Sequence, residues 1–207
     1  MKSIKPKTVE KENHDDRNFK NTYEWIQSII SALIACVFIF LFIVRVIDVK
    51  GTSMNPTLQN GDKMLVSGLF YKPKAGDVVV FKKDEYDPNK ALVKRVIATE
   101  GQEINIDFDQ GIVYIDNVAV EEDYIADITK TKLDFIGPKT VPEGCVFVMG
   151  DNRNMSTDSR KTEIGMVDSR LILGKVYAVL FPVDNAGIVS DSGPVLTNET
   201  ATDIAKG

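Results

Sequence analysis

Histidine is almost missing from this chain. His14 is the only one in 207 residues. A Ser-His-Asp triad, a Cys-His pair and a His-rich zinc site each need an imidazole beside the reacting atom. His14 stands in a charged N-terminal stretch ahead of an apolar run and reads as a solvated residue, not a site residue. Cysteine is as scarce. Cys36 lies inside the apolar run and Cys145 falls far along the chain, so the two read as unpaired and disulfides do not hold the fold together. Basic charge is not in excess either. Lys and Arg number 25 against 30 Asp and Glu, for a net charge of −5. The cations are dispersed, which excludes a nucleic-acid surface. No metal site, cofactor or internal repeat is expected.

What is present begins with residues 26–44, IQSIISALIACVFIFLFIV, nineteen positions without a formal charge. As a helix they span about 28 Å, close to the roughly 30 Å of a bilayer's hydrocarbon. Trp25 and Arg45 border the run, where interfacial aromatics and snorkelling cations belong. The following VRVIDVKG has no small-residue cleavage site, so the run reads as an uncleaved anchor over 25–45. Lys5, Lys7, Lys11, Arg17 and Lys20 precede it, and Arg45, Lys50 and Lys63 follow. That bias predicts a cytoplasmic tail over 1–24 and a single-pass cell-membrane protein with its bulk outside.

Past the anchor, helices of crossover length are lacking. Short β-branched runs alternate with turn signals at Asn60-Gly61-Asp62, Lys74-Ala75-Gly76, Asp109-Gln110-Gly111 and Asp116-Asn117. Strands are expected at Val46–Val49, Lys63–Ser67, Asp77–Lys82, Ala91–Thr99, Glu103–Asp107, Ile112–Ile115, Cys145–Met149 and Lys175–Phe181, with one helical turn at Asp168–Leu173. The pattern predicts a mainly β, antiparallel domain over 46–182. The tail 183–207, rich in Gly, Ser, Thr, Asn and Asp, is expected to be disordered.

Three segments could carry chemistry. In Gly51-Thr52-Ser53-Met54-Asn55-Pro56-Thr57-Leu58, a Gly/Pro-framed loop can present the Ser53 hydroxyl and its own N–H to a carbonyl; a serine there is also an ordinary turn residue. On a strand over Ala91–Ile97, Lys94 shares a face with Leu92 and Val96 while Arg95 takes the other. Apolar surroundings push a lysine toward its neutral form, which can accept a serine proton; the bland alternative is a snorkelling lysine. Gly150-Asp151-Asn152-Arg153-Asn154-Met155-Ser156-Thr157-Asp158-Ser159-Arg160 follows an apolar strand and is dense in hydrogen-bonding groups that could orient an amine through Ser156, or is a solvated polar loop.

In order and spacing, SMNPTL, Gly61-Asp62, GDVVVF at Gly76–Phe81, KRV at Lys94–Val96 and GDNRNMSTDSR resemble the boxes of bacterial type I signal peptidases, from the anchor to about Pro182. The single anchor resembles the Gram-positive branch. The resemblance implies antiparallel sheets like those of the self-cleaving repressor proteases and a Ser–Lys dyad of Ser53 as nucleophile and Lys94 as general base. It implies that Ser156 hydrogen-bonds the lysine, and that Asp158–Arg160 and Arg95–Asp151 are framework ion pairs. It places Val49, Met54, Leu58, Leu92 and Val93 near shallow pockets for small residues at the first and third positions before the cut. The implied partners are secretory preproteins and membrane lipid. Two positions depart from the pattern: Gly51, where some members carry a hydroxyl that helps hold the oxyanion, and Met155, where many carry a polar residue. A non-catalytic relative that binds signal peptides is the alternative these departures raise. A sortase-like transpeptidase using Cys145 is excluded, because no histidine follows the apolar run.

Overall fold

The computed structural model describes residues 8–192 and 195–196, apart from the side chains of 8–18, 20, 39–43 and 195–196. Two compact units divide at Ile43 and Val44. The first carries one helix, α1, Thr8–Ile43. It begins well upstream of the apolar run. Ile29 and Leu33 are 62% and 64% exposed, so this helix presents apolar side chains at its surface. Among the described residues no helix is long and apolar enough to cross a membrane. The side chains of positions 39–43, within the run, lie outside that set, as does that of His14.

The second unit is built from β1 Val44–Asp48, β2 Lys63–Ser67, β3 Val78–Lys82, β4 Ala91–Thr99, β5 Glu103–Asp107, β6 Ile112–Ile115, β7 Val118–Glu121, β8 Lys139–Thr140, β9 Cys145–Met149, β10 Val167–Asp168, β11 Ile172–Phe181, β12 Gly187–Ile188 and β13 Val195–Leu196. The larger sheet runs β1-β2-β11-β3-β4-β9-β10 with β12 beside β11, and the smaller runs β13-β7-β6-β5-β8. Every strand pair among the described residues is antiparallel, as expected where no crossover helix is available.

The core follows from alternation. Val78 and Val80 face one apolar cluster with Met54, Leu58, Met64 and Val176. Val79 and Phe81 face another with Leu92, Val96, Val146 and Val148. The central strands are therefore covered on both sides and read as continuous apolar runs. A third cluster joins Ile97, Phe147 and Met149 to Ile104, Ile106 and Val113 of the smaller sheet.

Several expectations change: β3 starts at Val78 instead of Asp77, β1 ends at Asp48 instead of Val49, and β7 was not expected. The helical turn over Asp168–Leu173 is shorter, a 3-10 turn at Ser169–Leu171, and Ile172 already belongs to β11. That strand continues through Gly174, where a Cβ would lie 2.6 Å from the Ser67 carbonyl; only glycine lets β11 approach the end of β2 so closely. The expected disorder from Val183 onward is also corrected for the described part. Val183–Asn185 forms a 3-10 turn, β12 pairs with β11 and β13 with β7. Buried Val189 holds this segment in the core, and Asp191 pairs with Lys175 at 2.7 Å. Residues 197–207 lie outside the described residues. Finally, β1 starts at Val44, two residues earlier than expected, directly after α1.

Candidate active site

After β1 the chain turns into the loop that carries Ser53. Val49 N–H donates to the Asp62 carbonyl and Gly61 N–H to the Val49 carbonyl, closing the loop's base. Gly51 N–H donates to Asn60 Oδ1 at 2.9 Å. Gly51 has φ +97°, a region that L side chains rarely adopt. The glycine that departs from the family pattern is thus demanded by the backbone. Met54 and Leu58 are buried in the core and fasten the loop on the far side of Ser53. Asn152 completes the fixation: its N–H donates to Ser53 O at 3.0 Å and its Nδ2 to Thr52 O at 3.1 Å.

Lys94 reaches this loop from β4. Its Nζ lies 2.7 Å from Ser53 Oγ and 2.8 Å from Val93 O. The side chain is only 3% exposed. Burial pushes its pKa down to about 8, against the opposing pull of Asp158. Near neutral pH a useful fraction of the amine is therefore unprotonated, as a proton acceptor must be.

Buried arginines fix the surroundings. Arg95 holds Asp151 through two bonds, Nε to Oδ1 at 2.9 Å and NH2 to Oδ2 at 2.8 Å, and also donates to Gly76 O and Ser190 O. Thr57, four residues past Ser53, donates to the same Asp151 carboxylate at 2.5 Å. Arg160 grips Asp158 in the same forked way, and Asp158 Oδ2 accepts the Gly150 N–H at 3.0 Å. Burial alone would raise the Asp158 pKa, but Arg160 and Gly150 hold it below the ordinary carboxylate value. Such pairs are bidentate and fully enclosed, the geometry in which guanidinium and carboxylate position one another best.

The sequence-predicted groups thus converge, with two exceptions. Ser156 is buried beside the site, and its hydroxyl acts on the Asp158 carboxylate, which it helps keep ionised; the implied bond to Lys94 is absent in this state. Gly150 makes room for it. A Cβ there would lie 2.3 Å from Ser156 Oγ and 2.4 Å from Ser53 O. Leu58 is the second exception. It lies wholly in the core and does not line the cleft, because its loop turns it under the sheet.

A cleft of about 590 Å³ opens onto Ser53 and Lys94, and Val49, Met54, Leu92 and Val93 line it. Met155 lines it too, 72% exposed. Its side chain turns to the cleft and takes no part in the loop's hydrogen bonding, so an apolar residue is accommodated there. β4 pairs with β3 over Ala91–Arg95 but with β9 only from Arg95 onward. The edge of Ala91–Lys94 away from β3 is therefore unpaired among the described residues, and an extended peptide can add to it.

Sequence reasoning missed a third guanidinium group. Arg153 was legible only as part of the polar loop, but both its terminal nitrogens meet Glu122 at 2.5 Å. Tyr124 donates to Glu122 and stacks against Arg95, whose guanidinium carbon is 4.2 Å from the ring centre. Nothing in the local sequence around Glu122 signals this role.

A depressed lysine thus meets a fixed serine hydroxyl in an open cleft of an antiparallel β domain, with no histidine beside them among the described residues. The family described as "Signal peptidase, peptidase S26" matches residues 22–181. The chain is similar to the signal peptidase I of Bacillus licheniformis, 38% identical over 181 residues, covering 80% of this chain and 92% of that one. It is 34% identical to signal peptidase IB of Staphylococcus aureus, covering 79% and 91%. A solved signal peptidase I from Enterococcus faecalis shares 30% identity over 54% of this chain and 98% of its own, with a TM-score of 0.40. The chain belongs to the signal peptidase family, peptidase S26, whose members are serine peptidases.

Proposed function

We propose that this chain cleaves signal peptides from secretory preproteins, with Ser53 as nucleophile and Lys94 as general base. The observation that carries this reading is the 2.7 Å contact between the Ser53 hydroxyl and a buried amine of pKa about 8. Neutral Lys94 takes the Ser53 proton as Oγ bonds to the scissile carbonyl carbon. The lysine proton then passes to the departing amine as the C–N bond breaks, leaving an ester on Ser53. Lys94 next deprotonates water, which attacks the ester; the C–Oγ bond breaks and Oγ regains a proton. Ser53 N–H is one oxyanion donor. Ser156, buried beside the site next to Asp158, is suited to hold the amine as it moves between these steps, and Arg95–Asp151 and Arg160–Asp158 hold the loops in register.

The substrate lies extended along the cleft, with its small residues over Val49, Met54, Leu92 and Val93. Residues 26–44 anchor the chain in the cell membrane with its N-terminus cytoplasmic and residues 46–182 outside. The exposed apolar side chains of α1 support the anchor, since a helix apolar on every side needs lipid or protein around it. The full chain in detergent, offered a preprotein, tests the dyad. Cleavage should vanish in Ser53→Ala and in Lys94→Ala, and cleavage retained by either variant rejects the assignment.

A further inference from the structure

Four charged residues line the cleft: Asp48, Lys50, Lys90 and Lys94. Asp48 is held by Lys63 at 2.8 Å. Lys94 contacts Ser53 and is depressed by burial. Lys50 and Lys90 are exposed; Lys50 adds to the pull of Lys63 on Asp48, and neither Lys50 nor Lys90 forms a direct ion pair among the described residues. The mouth of the cleft is therefore positive in a chain whose net charge is −5.

The position of Lys90 gives this charge a target. It immediately precedes β4, and its field reaches the reacting centre, where it is among the causes that lower the Lys94 pKa. Lys90 stands four positions before Lys94, about 13 Å on an extended strand. A peptide added to the unpaired edge of Ala91–Lys94, with its scissile carbonyl at Ser53, brings a residue about four positions from the cut to the Lys90 ammonium. Neutral and apolar groups line the rest of the groove, so a substrate carboxylate finds its counter-charge only at this rim.

We propose that Lys50 and Lys90 form a subsite for an acidic side chain, selecting substrates that carry Asp or Glu about four residues from the scissile bond. This subsite rests on the assignment of the cleft as the substrate groove and of Ser53 and Lys94 as its reacting pair. The attraction is of the exposed kind, so it sets preference, not absolute specificity.

The test uses the full chain in detergent and a set of synthetic peptides sharing one cleavage site. Asp, Asn and Lys are walked in turn through six positions on each side of the cut. Asp should exceed Asn in kcat/KM by roughly three- to fivefold, the size an exposed pair supplies, at three to five residues from the cut on one side. Lys should fall below Asn at the same positions. The Asp advantage should shrink in 0.5 M salt, by screening over about 4 Å. In the Lys50→Glu/Lys90→Glu double variant the order should invert, with Lys above Asn and Asp below. Equal cleavage of Asp and Asn peptides at every position overturns the subsite, and so does an Asp preference that survives the double charge reversal. Cleavage of the Asn peptides by the unaltered chain shows that the groove assignment stands whichever way the charge comparison falls. Failure to cleave any peptide overturns that assignment and the subsite with it.

Discussion

At the scale of single residues, Lys94 is the point where stability and chemistry oppose one another. Its folded pKa of about 8 lies below the ordinary value of 10.5. Between those values the unfolded chain binds the proton and the folded chain does not, so stability rises with pH through that window and is poorest below it. Lys94→Met should therefore be inactive and more stable than the unaltered chain, by roughly 1–3 kcal/mol at pH 7. The gain should narrow as pH approaches 10.5, and urea unfolding at pH 7 and pH 10 measures it. Activity follows the same proton. With Lys94 as base, kcat/KM should climb through about pH 8 and level off above it. A flat profile from pH 6 to 10, with chemistry rate-limiting, would count against a lysine base. The two partners of this pair were legible in the sequence. Ser53 sits in a loop that Gly51 and Pro56 frame, and Lys94 falls in an apolar strand whose alternation gives its face. Glu122 and Tyr124 were not legible, because their roles depend on Arg153, far along the chain and brought near only by the fold.

At the scale of elements, the strands of the larger sheet were the most readable, since β-branched runs between turn signals leave few alternatives. β2, β4 and β9 have the expected limits. Two-residue strands such as β8 and β10 have no pattern of their own and are strands only because a neighbour pairs with them. The segment after Phe181 was misread for a related reason. Its polar composition suggested disorder, but a single apolar residue, Val189, and backbone pairing to β11 fasten it. A chain stopped after Ala186 should therefore lose stability. The buried Val189 side chain, the Lys175–Asp191 pair and the carbonyl acceptor of Arg95 at Ser190 all go with it. The expected loss is about 2–4 kcal/mol. Unfolding in urea checks this, and no change would return the segment to the status of a loose tail.

At the scale of the whole molecule, the two units divide the work in the proposed function. The unit from Val44 onward holds the cleft and every group argued to act on substrate, while residues 26–44 tether it. Only nine residues lie between Ile43 and Ser53 in sequence. A tether that keeps the enzyme and a membrane-held substrate on one surface raises their effective concentration without a new contact. A chain lacking residues 1–43 should cleave short soluble peptides with a kcat/KM near that of the full chain. On preproteins in vesicles its rate should fall by about 10²-fold or more. Comparing the two substrates with both chains checks this; an equal loss on both would show that the helix is needed for folding instead.

The choice of arginine throughout the buried framework has a consequence for any titration of this enzyme. Arginine does not release its proton in proteins, the residues from Val44 onward contain no histidine, and Asp158 is already ionised well below neutrality. Across the neutral and mildly alkaline range the reacting centre thus loses one proton and no other. A logarithmic plot of rate against pH should have unit slope on its acid limb, and in Ser53→Ala a bound-proton count across the same range should come to one at that centre.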